Sequence, residues 1–215
     1  QAELIEPLCV SALNTPAKQA SAQVFLRVLH DALFAVRGGS QLLLPHADLG
    51  ALFPQAAVTW LQTQGAAVRT GARITTLQRG ADHWQLDGQR FDSVLLACSS
   101  TEAARLAAPL NPAWSGTAEA LQFEAITTVY AWAQDARLAA PMLALHPAAQ
   151  WPAQFVFDRG QLGGPAGLLA FVISASQGER GTLQSQVLAQ ARVQLGLELQ
   201  AVQTVVERRA TFACT

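Results

Sequence analysis

Residues 65–99, GAAVRTGARITTLQRGADHWQLDGQRFDSVLLACS, decide how the rest of the chain is read. Up to Asp92 they alternate short strand-like runs with turn residues, at 66–69, 73–78, 83–86 and 89–91. Asp87-Gly88, between the last two runs, signals a tight hairpin, because both residues tolerate the left-handed backbone that such a turn needs. Ser93-Val94-Leu95-Leu96-Ala97 is then an apolar run without polar alternation. That pattern predicts a strand buried on both faces, as in a parallel sheet. Ser99-Ser100-Thr101 followed by Glu102 offers caps for a helix just beyond. A hairpin ribbon feeding one parallel strand does not complete a sheet, so the neighbours of that strand must come from elsewhere.

Before this stretch the chain reads as helical. Residues 3–13 have apolar residues at helical spacing, with Pro7 near the start. Asn14-Thr15-Pro16 marks a turn, and Pro16 suits the first position of a new helix. That helix is predicted to reach Val36, with Val24, Phe25, Val28, Leu29, Ala32 and Leu33 forming a broad stripe. The stripe reads as ordinary core in preference to the wall of a lipid tunnel. Residues 41–44 read as a short strand stopped by Pro45, Asp48 as a cap, and 54–64 as a helix with Val58 and Leu61 inward.

After the stretch, 101–107 reads as a short helix and 114–121 as a further turn or two. Residues 126–132, ITTVYAW, form a strand by their β-branched and aromatic content. Strands follow at 142–145, 154–157, 168–174 and 202–212, and 183–195 is an amphipathic helix ending near Gly196. The fold class is α+β, with a parallel, α/β-derived piece at its centre.

Composition narrows the function. Only 13% of the 215 residues are charged and 51% are hydrophobic, as in a core-heavy protein or one exposing a former interface. A net charge of −1 gives no basis for nucleic-acid binding. Cys9, Cys98 and Cys214 form no CxxC pair and read as reduced thiols. His30, His46, His83 and His146 have no metal-ligand spacing, so no metal site is assigned. No apolar run approaches the ~20 residues that span a bilayer. The single methionine is Met142, and the chain opens in a helical pattern and stops after a strand-like one. The expectation is a segment of a longer protein.

The residues offer little chemistry by themselves. Glu6, Asp31, Asp48, Glu124 and Asp158 lie near apolar segments, where burial could raise a carboxyl's pKa into the range of a general acid. None has a visible partner, and Asp48 is better explained as a cap. The 160–167 run GQLGGPAG precedes a strand and so lacks the helix N-terminus of a phosphate-cradling loop; it reads as a mobile loop. Ser99-Ser100 lacks the flanking glycines of a nucleophile elbow.

The blocks EPLCVSALNTP, ASAQVFLRVLHDALF and SQLLLPHADLGALFPQAAVTWLQTQGAAVR, with RRATFACT at the end, resemble the FAD-dependent hydroxysqualene dehydroxylases. These are also called squalene-associated FAD-dependent desaturases, within the flavin amine oxidase and phytoene desaturase superfamily. The resemblance implies a partial FAD/NAD(P)-binding domain interleaved with a helix-plus-mixed-sheet substrate domain. Residues 1–64 would be the helical part of the substrate domain, 65–100 the middle segment of the FAD-binding domain, and 101–215 the sheet-plus-helix part.

Neither the family's GxGxxG nor its later Gly-Asp segment is present. The chain is therefore expected to be the middle of such a protein, inactive alone and without tightly bound FAD. Its partners would be the missing N-terminal Rossmann segment and the C-terminal flavin-contacting segment. The resemblance implies that Arg73 and Ile74 pass near the adenine end of FAD, and that Ala97 and Cys98 sit where the parallel strand meets the cofactor. Glu6 and Asp31 are the acid candidates.

The implied reaction is conversion of hydroxysqualene to squalene in hopanoid biosynthesis, by a cytoplasmic protein with peripheral contact to the inner membrane. A phytoene desaturase-like oxidoreductase and a non-catalytic lipid-binding or interaction module are the alternatives. The surface around 94–97 is expected to be apolar and exposed, open to self-association.

Overall fold

The computed structural model describes residues 5–215, which form two compact units. One comprises residues up to Leu52 together with Phe123–Thr215; the other is Phe53–Gln122.

The first unit is built on a five-stranded antiparallel sheet. Its strands are β4 (Phe123–Trp132), β5 (Met142–Ala144), β6 (Phe155–Asp158), β7 (Leu168–Ile173) and β8 (Gln200–Phe212), in the order β5-β6-β7-β4-β8. β4 lies between β7 and β8, and its alternation is clean: Thr127, Val129 and Ala131 are buried, while the residues between them are half-buried. The register aligns Leu143, Val156, Phe171, Val129 and Thr204 in one row across all five strands. Because strand side chains alternate sides, this row lies on one face.

Helix α7 (Arg180–Leu195) covers that face with Leu183, Val187 and Ala191, spaced four apart. Gln190 on the same helix is fully buried and satisfied at both ends. Its Oε1 accepts from the Ala153 N–H at 3.0 Å and its Nε2 donates to the Ala153 carbonyl at 2.9 Å. Gly196 ends α7 in the left-handed conformation, as its position in the sequence suggests.

The amino-terminal part of this unit departs from the sequence reading. Helix α1 (Ile5–Leu13) is followed by α2 (Ala22–Leu29), which Ser21 caps through a bond from the Val24 N–H, and then by a wide π turn at His30–Phe34. The stripe read as core is half-buried at Phe25, Val28 and Leu29 and exposed at Val24 and Val36. Residues 41–44 form no strand: they have no ladder partner among the described residues, and Leu43 is 95% exposed. Asp48 does cap α3 (Leu49–Leu52), accepting from the Ala51 N–H at 3.0 Å.

The loop read as mobile is fastened. Buried Asp158 accepts from the Leu138 N–H at 3.0 Å and from Gln161 Nε2 at 2.8 Å. Burial alone would raise this carboxyl, but those hydrogen bonds prevail and hold it below the usual range, so it stays ionised. Gly167 is required where the loop closes, since φ is +76° and a Cβ would lie 2.2 Å from the Ala133 carbonyl oxygen.

The second unit begins with α4 (Pro54–Thr63), whose proline sits in the first turn as expected. A three-stranded antiparallel sheet follows: β1 (Leu77–Arg79), β2 (Trp84–Leu86) and β3 (Gln89–Phe91). Asp87 at φ +47° and Gly88 at φ +83° make the β2–β3 turn. Residues 66–69 and 73–76 run outside this sheet, because only 77–79 meets β2. Residues 93–97, predicted to be a parallel strand, form no ladder with any described residue, and Leu95 is 90% exposed. α5 (Ser100–Ala107), capped by Ser99, packs on α6 (Pro112–Glu119). Small residues allow that approach: Ala104 is fully buried, and Ser115 Oγ donates to its carbonyl at 2.7 Å.

Truncating Phe171, fully buried beneath α7, is expected to cost about 3–5 kcal/mol in urea unfolding. Leu43→Ser is expected to change stability by less than about 0.5 kcal/mol. Equal effects of the two substitutions would contradict the core assignment.

Candidate functional site

The second unit contains a groove of about 510 Å³ whose walls include Arg73, Ile74, Leu86, Glu102 and Leu106, with residues 94–98 along its length. Arg73, Ile74, Ala97 and Cys98, the four residues assigned to the cofactor by resemblance, all line it. The local folding explains how. Arg105 on α5 donates from Nη1 to the Thr75 carbonyl at 2.8 Å and from Nη2 to the Ile74 carbonyl at 2.9 Å. One guanidinium thus anchors the 74–75 backbone to the helix that follows the extended 94–98 segment.

Glu102, one turn earlier, accepts from Arg105 Nε at 3.0 Å and from Arg73 Nη2 at 2.9 Å. The Arg105 hydrogen bond chiefly holds its carboxyl below the usual range, and the charge of Arg73 adds to the effect. Arg73 and Glu102, which line the groove's polar rim beside the apolar Ile74, Leu86, Val94 and Leu96, form a continuous ionic chain with Arg105 behind them on α5. Because both cations are exposed, the chain orients the rim more than it stabilises the fold.

The hairpin turn braces the same backbone. Asp87 Oδ1 accepts from Thr75 Oγ1 at 2.6 Å and from the Thr76 N–H at 2.7 Å, and both its oxygens accept from the Thr75 N–H at 3.1 Å. Led by the bonds from Thr75, these donors depress the Asp87 pKa from 3.8 to about 2. The turn and α5 therefore grip residues 74–76 from two sides.

Chemically, this groove can hold a flat, mainly apolar group against residues 94–97 and meet an anionic group at the guanidinium of Arg73. Cys98 is an exposed free thiol at one end. Sequence reasoning treated Glu102 only as a cap and missed Arg105, Leu86 and Leu106. The spacing of Glu102 and Arg105 on one helix was a readable signal for their pairing; the reach of Arg105 to two carbonyls was not.

The acid candidates are placed elsewhere. Asp31 is exposed on the π turn and accepts from Arg27 Nε at 2.5 Å and pairs with His30 Nδ1 at 2.9 Å. Those bonds, Arg27 first, lower its pKa, the reverse of the burial-raised acid that the sequence suggested. Glu6 lines a cavity in the first unit. Cys9 is buried, which raises its thiol pKa, with Cys214 adding to the shift. Among the described residues no group of His, Cys, Asp and Glu is arranged for a metal, and no helix is long and apolar enough to cross a membrane.

No protein-family profile and no curated protein matches the sequence. Solved structures do match the fold. A candidate protoporphyrinogen oxidase from Exiguobacterium sp. 255-15 aligns over 99% of this chain with a TM-score of 0.68 and 16% identity. An oxidoreductase from Methanosarcina mazei aligns over 96% with a TM-score of 0.71 and 15% identity. At these identities the likeness is one of fold, and the chain spans about half, 52%, of each matched structure.

The Asp87 clamp gives a pH prediction. A depressed pKa stabilises the unit above the unfolded value of 3.8, and the contribution disappears as pH falls towards about 2. NMR titration of the Thr75 and Thr76 amides is expected to show a midpoint near 2 that Asp87→Asn abolishes. A midpoint at 3.8 would mean that the clamp does not form.

Proposed function

We propose that this chain is part of an FAD-dependent oxidoreductase and that the groove of the second unit receives the adenine end of the cofactor. The observation that carries this reading is the gathering of Arg73, Ile74, Ala97 and Cys98 into one groove. The fold shared with an oxidoreductase from Methanosarcina mazei supports it. The groove suits the group: its apolar floor offers a surface for a flat ring, and the unladdered 94–98 backbone has N–H and C=O groups available to that ring's polar edge. Arg73 at the rim complements the phosphates. Bound FAD, once reduced, supplies hydride equivalents. The chain's own part is to bind and orient the nucleotide and keep water from one of its faces.

The substrate class proposed is a C30 isoprenoid, with hydroxysqualene converted to squalene: the C–O bond gives way to C–H and the hydroxyl leaves as water. This follows the sequence resemblance in the ALNTP and LLLPHADLG blocks. The unladdered 94–98 segment suits a partner strand from a further segment of the protein, or from a second copy. Peripheral membrane contact belongs to the same proposal; exposed Leu26, Phe34, Leu42 and Leu43 supply an apolar surface for it.

The complete gene product, supplied with FAD and a reductant, is expected to form squalene from hydroxysqualene and to leave phytoene unchanged. Desaturated products from phytoene would move the assignment to a carotenoid desaturase-like enzyme. Turnover of neither, with no flavin bound, would overturn the oxidoreductase reading and favour a non-catalytic lipid-binding module.

A further inference from the structure

Arg73 and Arg105 share one carboxylate on unequal terms. Arg105 commits donors to three fixed partners: Nε to Glu102 Oε2 at 3.0 Å, Nη1 to the Thr75 carbonyl at 2.8 Å and Nη2 to the Ile74 carbonyl at 2.9 Å. Arg73 commits one, from Nη2 to Glu102 Oε1 at 2.9 Å, and its other donors have no partner among the described residues. The Arg73 side chain is 73% exposed and that of Glu102 38%. Both residues line the groove.

Parting Arg73 from Glu102 costs little, because an exposed pair with a single contact is weak and water reaches both groups once they separate. Glu102 is not orphaned by the loss, since Arg105 Nε stays on its other oxygen. The Arg105 hydrogen bond is also what chiefly holds the Glu102 carboxyl below the usual range, so the carboxylate stays ionised without Arg73. A phosphate offers a guanidinium two parallel hydrogen bonds, where Glu102 presents a single oxygen to Arg73. The anchored arginine and the loosely held one therefore have separate tasks.

We infer that Glu102 holds Arg73 in reserve, and that a phosphate group entering the groove takes this guanidinium from the carboxylate while Arg105 remains in place. Glu102 is then a specificity-determining residue. It competes with the ligand's phosphate, and so sets how strongly a nucleotide is preferred over the bare nucleoside. A carboxylate that merely oriented the rim would do the opposite: its removal would weaken phosphate binding. The phosphate's carrier, a nucleotide, is identified through the reading proposed above, on which this inference rests to that extent; the exchange itself requires only an anion.

The test is an NMR titration of the 215-residue chain with sodium pyrophosphate, ADP and adenosine at constant ionic strength, followed at the Arg73 Nε–H and the amides of residues 74 and 94–98. Pyrophosphate is expected to shift the Arg73 signal saturably. Glu102→Gln, which keeps an oxygen for Arg105, is expected to tighten pyrophosphate and ADP about threefold, the strength of an exposed ion pair, and to leave adenosine unchanged. Arg73→Gln is expected to weaken pyrophosphate about tenfold, as loss of a charge-assisted hydrogen bond implies. In the double variant the gain from Glu102→Gln is expected to vanish. No saturable shift at Arg73, unchanged or weaker pyrophosphate binding in Glu102→Gln, or the same gain without Arg73 would overturn the inference. Pyrophosphate behaving as expected while adenosine moves none of the 94–98 amides would instead contradict the placement of the base and uphold the Arg73 exchange.

Discussion

An extended backbone must place its N–H and C=O groups in a ladder, in water or on a ligand. Residues 94–98 meet that constraint without a ladder among the described residues. Their side chains are those of a doubly buried strand, yet Leu95 is almost wholly exposed. The rest of the second unit positions this segment. Ser99 caps α5 at its end, Arg105 ties α5 back to Ile74 and Thr75, and Asp87 braces the same residues from the hairpin. The result is a groove with one prepared wall, the feature on which the proposed nucleotide site rests.

The first unit is held differently, by the buried turn that follows α1. Asn14 continues from the helix with its N–H on the Val10 carbonyl and takes the left-handed conformation common at helix ends. Its side chain donates to Thr211 Oγ1 at 3.0 Å on β8 and accepts from Ala175 beyond β7. Thr15, fully buried, accepts from the Cys214 N–H at 2.9 Å and donates to the Leu13 carbonyl at 3.0 Å. Two adjacent polar residues thus fasten the amino-terminal helix to the last strand and to the wall of the cavity that Glu6 lines.

Local rules made much of this legible. Asp87-Gly88, the Ser99 and Asp48 caps, Pro54, Gly196 and the β-branched run of β4 each carry their structural meaning within a few residues. The strand pairings that failed, at 41–44 and 93–97, depend on a neighbour whose presence no local pattern announces. The same holds for the site. Arg73, Ile74, Ala97 and Cys98 could be named by resemblance, whereas Arg105 acts on carbonyls some thirty residues away. Asn14 read as a turn residue, and its side-chain bonds to Thr211 and Ala175 are visible only in three dimensions. Asp31 looked like a burial-tuned acid because its apolar flanks suggested burial, but the stripe beside it is only partly covered.

The central claim is that the groove beside residues 94–98 takes the adenine end of FAD. Cys98 lies in that groove and Cys214 does not, so the two thiols provide a probe and its internal control. The most direct measurement is the rate of iodoacetamide alkylation at each thiol, followed by mass spectrometry, with millimolar ADP or FMN present. ADP is expected to slow alkylation of Cys98 at least several-fold, FMN to have little effect, and Cys214 to react at the same rate throughout. Unchanged reactivity of Cys98 with ADP, or protection by FMN instead, would contradict it.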